Sequence, residues 1–227
     1  MGTVTILPET TKDPISLIGR RAGICWGSDI SEPQKNYKRG LDCIYSDHGR
    51  ALEFVNIEMV LNGYSARVIR EWYTHIGGAP TRLQASTRYI DYSEFGYVTP
   101  KSIENNAVAK DDYELCIMRI QRELQHLADA GIPREDLAML LPLAMTTKVI
   151  DKRNLRNLID MSRQRMCNRA NWEFRQMFAD ICNALCNVSD EWQTIIRTQM
   201  KPKCEHLGYC PEKHGCGKYP CKAEGSV

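Results

Sequence analysis

A Gly-Gly-Ala-Pro break at 77–80 restricts the fold of this chain more than any other short stretch. Ahead of it, Val68, Ile69, Trp72, Tyr73 and Ile76 recur at helical spacing, and Ser65 stands where a helix cap belongs. The spacing predicts an amphipathic helix with one apolar face against a sheet. No helix continues through two glycines and a proline, so the backbone turns there. Beyond the turn comes a polar run carrying Arg82, Gln84, Ser86, Arg88 and Tyr89. Arg70–Tyr89 therefore gathers arginines, His75, a serine and an amide around a glycine break. Backbone N–H groups and guanidinium forks in that company suit an anion or nucleotide. A solvated basic loop has the same composition.

The remaining chain alternates helical and extended signals. Thr3–Pro8 reads as a short strand, and Pro14–Trp26 and Pro33–Ser46 as helices, with a loop at 47–50. Leu52–Leu61 reads as a long strand closed by Asn62-Gly63. Residues 92–106 are aromatic and turn-rich. Asp111–Ala130 is an amphipathic helix, with Tyr113, Ile117, Ile120, Leu124 and Leu127 along one stripe. Gly131 ends it and Pro133 opens a further helix. Met145–Ile150 reads as a strand, Asn154–Cys186 as one long helix and Ser189–Met200 as a last helix. From Lys201 the composition shifts to Cys, Pro, Gly, His and Lys. The expected division is a main domain over 1–200 and a tail over 201–227.

The long helix carries a second cluster. Leu158, Met161, Arg165, Asn168 and Trp172 recur at three- and four-residue steps, which sets Arg165 within a largely apolar stripe. A guanidinium there needs an anion, either a protein carboxylate or a ligand phosphate or base carbonyl. Asn154, Arg156 and Arg163 lie toward the N-terminal half.

Composition excludes several classes. Net charge is +2 over 227 residues, too little for a field that draws in a nucleic-acid polymer. No run of about 18 apolar residues supports a membrane span. The first residues lack a secretory pattern, so a cytoplasmic setting with reduced thiols is expected for six of the ten cysteines, Cys25, Cys43, Cys116, Cys167, Cys182 and Cys186. The tail cysteines Cys204, Cys210, Cys216 and Cys221 are a candidate zinc set, but without a Cys-x2-Cys knuckle. Free thiols or labile disulfides are the plainer reading. No dinucleotide glycine fingerprint, phosphate-binding P-loop, His-Glu-x-x-His or nucleophile elbow occurs. Cys25 and Ser86 have no recognisable base beside them, so Ser86 is expected to hydrogen-bond a phosphate.

Taken together, the segments at Trp72–Tyr89, Leu140–Leu143, Asn154–Leu158 and Arg165–Glu173 resemble the flavin-dependent thymidylate synthases, the ThyX family. The likeness runs from about residue 15 to about residue 200 in order and spacing. The tail looks like an addition. The family pattern Arg-His-Arg, then Ser-X-Arg-Tyr, is met by His75, Ser86, Arg88 and Tyr89. Thr74 and Ile76 stand where its two arginines belong, and Gly77-Gly78 look inserted. Gln84 and Leu83 replace a glutamate and an asparagine. Phe54 stands for a strand histidine, Ala138 for a substrate arginine, and Asp160 for an asparagine.

The resemblance implies an α+β fold with a central, mainly antiparallel sheet flanked by long helices, assembled as a homotetramer with shared active sites. It implies reductive methylation of dUMP to dTMP, with methylenetetrahydrofolate as carbon donor and NADPH reducing bound FAD. Arg165 and Ser86 fall at catalytic positions. Arg70, Glu71, Arg82, Gln84, Ser86, Arg88, Tyr89 and Arg165 fall at substrate positions, with Arg82 and Arg70 as candidates for the lost charges. Asn56, Thr74, His75, Ile76, Gln84, Asn154, Arg156 and Asp160 fall at flavin positions. The departures at Gln84 and Ala138 keep open a relative that alkylates UMP or dCMP. A zinc-tailed nucleic-acid-binding module without catalysis is the alternative from another class.

Overall fold

The computed structural model describes residues 2–222. Position 1 and residues 223–227, the outer ends of the two expected domains, lie outside them. Four strands form one sheet in the order β1-β2-β4-β3: β1 (Thr3–Ile6), β2 (Asn56–Ser65), β3 (Thr81–Gln84) and β4 (Thr146–Asn154). The pairs run antiparallel. Ala66 N–H donates to Met145 O at 2.8 Å, Leu155 N–H to Val55 O at 3.1 Å, and Leu7 N–H to Glu58 O at 2.9 Å. With its helices this is the expected α+β class.

Eleven helices accompany the sheet among the described residues. They are α1 (Pro14–Cys25), α2 (Pro33–Tyr45), α3 (Gly49–Leu52), α4 (Ala66–Trp72), α5 (Lys101–Glu104), α6 (Ala107–Asp129), α7 (Arg134–Leu137), α8 (Leu155–Arg165), α9 (Trp172–Cys186), α10 (Asp190–Gln199) and α11 (Lys203–Leu207). The chain divides into two compact units. One holds Leu61–Thr74 and Leu83–Ile150 with the first residues; the other holds Val4–Val60, His75–Arg82 and the chain from Asp151 onward.

In the first unit, Phe95, Ile117, Leu124 and Met145 form a buried cluster, with Ala66, Tyr92, Tyr113, Ile120, Leu137 and Leu141 packed around it. The α6 stripe is thus the core-facing one, although Leu127 at its end is more than a third exposed. In the second unit, α1 and α2 cross at glycines. A Cβ on Gly40 would lie 1.9 Å from the Ile15 carbonyl oxygen, and one on Gly19 would lie 1.8 Å from that of Asn36. Helix α10 is pinned to the start of α1. Glu191 accepts from Ile15 N–H at 2.7 Å and Ser16 N–H at 3.0 Å, satisfying free amides at a helix start with a carboxylate. Trp192 Nε1 donates to Thr11 O at 2.8 Å.

Several expectations are corrected. The strand expected at Leu52–Leu61 begins at Asn56 and continues through Gly63 to Ser65; Leu52 instead ends the short helix α3. Phe54 therefore precedes the strand, 56% exposed, with Arg21 5.7 Å from its ring centroid. Helix α4 stops at Trp72, so Val68, Ile69 and Trp72 are buried while Ile76 is 70% exposed. Ser65 caps it as expected, accepting from Val68 N–H at 3.2 Å. Helix α6 starts at Ala107 rather than Asp111, because Asn106 accepts from Ala109 N–H at 3.1 Å and nucleates an earlier first turn. The long helix expected at Asn154–Cys186 is two. Helix α8 ends at Arg165, and Asn171 opens α9 by accepting from Glu173 N–H at 2.9 Å and Phe174 N–H at 3.4 Å. The strand before it runs past the expected Ile150 to Asn154, and Asn154 then caps α8 by accepting from Asn157 N–H at 2.9 Å.

The extended β4 places Thr147, Val149, Asp151 and Arg153 on one buried face. Arg153 Nε and Nη2 donate to the two Asp151 carboxylate oxygens, each at 2.6 Å, and both side chains are fully enclosed. Arg153 Nη1 donates to Asn157 Oδ1 at 2.7 Å and to Met161 Sδ. Removing one partner of a buried pair strands the other charge, at about 3–5 kcal/mol. Asp151→Ala is therefore expected to cost that much in urea unfolding. The double change Asp151→Leu with Arg153→Met should cost clearly less; equal losses would mean that the pairing is not what matters.

Candidate functional site

Arg165 lies in the last turn of α8, where the unpaired carbonyl ends of the helix favour a cation. Its Nε donates to His75 Nε2 at 2.8 Å, and its guanidinium carbon lies 4.9 Å from the Phe174 ring centroid. The His75 ring meets the same Phe174 edge-on, 6.0 Å between centroids at 72°. Three side chains from separate stretches thus form one packed unit. The His75–Arg165 contact exists because the chain turns at Gly77-Gly78 and because α8 ends where it does. The break also changes the surroundings of Arg165. Leu158 and Met161 are buried, but Asn168 is exposed and Trp172 38% exposed, so Arg165 is half-buried at the edge of an apolar face.

Because Arg165 donates to Nε2, the His75 imidazole is an acceptor there and carries its proton on Nδ1. Burial, then the charges of Arg165 and Arg153, lower its pKa from 6.5 to about 4.

The Gly77-Gly78 turn lies against the start of α8. Gly78 has φ of +70°, and a Cβ there would be 2.2 Å from Asn154 Nδ2; one on Gly77 would be 3.1 Å from Asn157 Nδ2. Only glycine supplies both the left-handed backbone and the space. A cavity of about 240 Å³ opens here, lined by Gly77, Gly78, Asn154, Arg156, Asn157 and Asp160, with Glu53 at its margin. A neighbouring cavity of about 190 Å³ is lined in part by Asn56, Gly78, Thr81, Lys152 and Arg153. Of the positions expected to bind a flavin, Asn56, Asn154, Arg156 and Asp160 line these two cavities. Arg156 donates to Glu53 Oε1 at 2.7 Å, and Asp160 pairs with Arg163 at 3.3 Å. Asn56 Nδ2 donates to Glu9 O and to Glu58 Oε1, each at 3.1 Å. Arg82, half-buried on β3, lies close enough to Arg153 for its charge to oppose ionisation there, though burial dominates that downward shift.

Other expected positions lie in the first compact unit. Gln84 Nε2 donates to Thr147 Oγ1 at 3.4 Å. Ser86 Oγ accepts from Arg88 N–H at 3.2 Å, holding Ser86–Tyr89 in a tight turn. Arg88 pairs with Glu135 at 3.3 Å and covers Tyr89, itself 73% exposed. The Thr74 hydroxyl donates to Glu71 O at 2.7 Å and so closes the end of α4, on whose exposed side Arg70 lies. Thr74 is thus engaged locally and Ile76 projects outward. Ala138 opens a 3-10 turn at 138–140.

Phe174, Asn157 and the Asp151–Arg153 pair are further members of this region that no sequence motif marks. The alternation Thr147, Val149, Asp151, Arg153 was the available signal, hidden because a charged pair does not look like a buried strand face. Among the described residues, no group of three or more His, Cys, Asp or Glu side chains is placed to hold a metal ion. No helix among them is long and apolar enough to cross a membrane.

A family model described as thymidylate synthase complementing protein matches residues 6–189. The flavin-dependent thymidylate synthase of Nitratidesulfovibrio vulgaris is 29% identical over 234 residues, covering 93% of each chain. That of Geobacter sulfurreducens is 29% identical over 222 residues, again covering 93% of both. A crystal structure of thymidylate synthase X from Helicobacter pylori with FAD and dUMP superposes with a TM-score of 0.68 at 18% identity, covering 88% of this chain and all of that one. A second structure of the same enzyme complexed with FAD and dUMP gives 0.69 at 17%.

The depressed His75 pKa fixes a pH dependence. Between about pH 4 and 6.5 the unfolded chain binds a proton at this histidine that the folded chain does not. Stability should therefore fall as pH drops through that window, by on the order of 2–3 kcal/mol before other groups are counted. Denaturant titrations at pH 7 and pH 4.5 should show the loss in the wild type and a smaller one in His75→Gln. An NMR titration placing the imidazole near pKa 6.5 would overturn the assignment.

Proposed function

The chain belongs to the flavin-dependent thymidylate synthase family, and on that premise we propose that it converts dUMP to dTMP with methylenetetrahydrofolate, FAD and NADPH. Residues 1–200 form the catalytic part in this reading and the cysteine-rich segment is an addition. The working form is a homotetramer in the cytoplasm. The single observation that carries the reading is Arg165 held by His75 and Phe174, within the same compact unit as the glycine-lined cavity at Asn154.

The residues at that cavity fit a flavin. Gly77 and Gly78 let the turn lie against Asn154 and Asn157 at the cavity wall, and Asn154, Arg156 and Asn157 offer donors at the start of a helix. Bound FAD, once reduced, supplies the hydride chemistry. His75, Asn154, Arg156, Asn56 and Asp160 bind and orient it. Asp160 and Glu53 bring negative charge to the cavity margin, so the nearby cations Arg156 and Arg82 carry the phosphate-facing role that Thr74 and Ile76 do not supply. Arg165 donates to a carbonyl of the pyrimidine and stabilises the negative charge that develops on the ring. His75 keeps the guanidinium in place while contributing no charge of its own. The resemblance assigns Ser86, Gln84, Arg88, Tyr89, Arg70 and Glu71 to the nucleotide in a homotetramer with shared active sites, with Ser86 as a hydrogen-bonding hydroxyl.

The purified protein should be yellow or should take up FAD. After anaerobic reduction, mixing with dUMP and methylenetetrahydrofolate should reoxidise the flavin and form dTMP. UMP and dCMP as competing substrates test which pyrimidine fits. Arg165→Ala should cut turnover about 10²–10³-fold while flavin content stays intact. Arg82→Ala should weaken flavin or nucleotide binding about tenfold or more; unchanged binding of both would remove Arg82 from the site. A colourless protein that cannot be reconstituted with FAD would overturn the reading.

A further inference from the structure

The tail contributes a cysteine arrangement that the proposed activity does not use. Cys210 and Cys221 face each other across an isolated parallel bridge, with Cys210 N–H donating to Pro220 O at 2.8 Å and Lys222 N–H to Cys210 O at 3.1 Å. Residues paired in this way sit about 4.8 Å apart, within the span of about 4.4–6.8 Å between α-carbons that a disulfide bridges. Their sulfurs also converge. A Cβ on Gly215 would lie 3.0 Å from Cys221 Sγ and 3.2 Å from Cys210 Sγ, so both thiols flank one point that only a glycine leaves open. All ten cysteines are free thiols in this structure.

We propose that Cys210 and Cys221 are a dithiol site that closes reversibly to a disulfide. The oxidant class is a small disulfide such as oxidised glutathione. The exposed Cys221 thiolate attacks one of its sulfurs and releases one small thiolate. The Cys210 thiolate then attacks the Cys221 sulfur of the mixed disulfide and releases the second. Two protein thiols become one S–S bond, the two electrons reduce the small disulfide, and the two protons end on the two small thiols.

The bond would close the loop 211–220, and that loop is attached to the segment that joins α8 to α9. Arg169 donates to His214 O at 2.7 Å and pairs with Glu212 at 3.3 Å, while Asn168 Nδ2 contacts Cys216 Sγ at 3.7 Å. A cavity of about 890 Å³ is bounded here by Arg165, Arg169, Cys204, Cys210, Cys216 and Tyr219. Closing the loop removes backbone freedom from one wall of the cavity that Arg165 lines. The inference does not depend on which reaction Arg165 serves.

The test uses the full chain, treated with oxidised glutathione, denatured, alkylated and digested with trypsin without reduction. Tryptic peptides 204–213 and 219–222 should appear joined through Cys210 and Cys221. The link should persist in Cys204→Ser and Cys216→Ser and vanish in Cys221→Ser. In the native protein, cleavage after the exposed Lys213 should be several-fold slower when oxidised than when reduced, with no such difference in Cys221→Ser. A link through Cys204 or Cys216 in the wild type, glutathione adducts alone, or stoichiometric zinc shielding these thiols would overturn the pairing. Equal cleavage rates would overturn the effect on the wall.

Discussion

Asp151 and Arg153 sit side by side on β4 with no exposure to solvent, joined by two parallel hydrogen bonds. Burial alone would push the guanidinium below its ordinary pKa, and the facing carboxylate opposes that. The pair is two residues apart in a strand, the spacing that puts both side chains on one face. Its third hydrogen bond, to Asn157, ties the strand to the first turn of α8. Asn154 ends the strand and caps the same helix. The direction in which α8 leaves β4, and hence the place of Arg165 at its far end, rests on this knot of polar contacts.

The other fixed point is the end of α8. A helix through Arg165 to Cys186 would have carried the guanidinium along a continuous stripe. Instead α8 stops, five residues cross, and Asn171 starts a new helix whose Phe174 returns beneath Arg165. His75 arrives from the Gly77-Gly78 turn to complete the arrangement. Helix α4 has already stopped at Trp72, and the glycines supply the bare backbone that lies against Asn154 and Asn157.

Much of this was legible in the sequence, and for physical reasons. The α6 stripe announced a core face, Ser65 announced a cap, and the Gly-Gly break announced a turn. The antiparallel α+β class came from the family resemblance rather than from periodicity. One error has its cause in an asparagine. Asn171 caps α9, yet inside a run of helix-forming residues it reads as an ordinary polar position; Asn154, where the helix is expected to begin, caps α8. The strand in front of α8 runs past Ile150 to Asn154, and a charged pair at 151 and 153 carries no apolar alternation to announce it. Burial depends on a partner from elsewhere, and Asn157 and Met161 become partners only once the helix has folded back. The His75–Arg165 contact spans 90 residues of chain, and no local pattern encodes it.

The tautomer of His75 has a consequence for proton traffic. Its Nε2 lone pair is occupied by Arg165, and its remaining polar atom is an N–H that gives up its proton only to a much stronger base. The histidine nearest the arginine is therefore closed to proton exchange at neutral pH. Any proton that must leave or enter a reacting group beside Arg165 has to travel by water, by the ligand itself or by some other side chain. In the proposed function, Arg165 and His75 would then act as a fixed electrostatic surface.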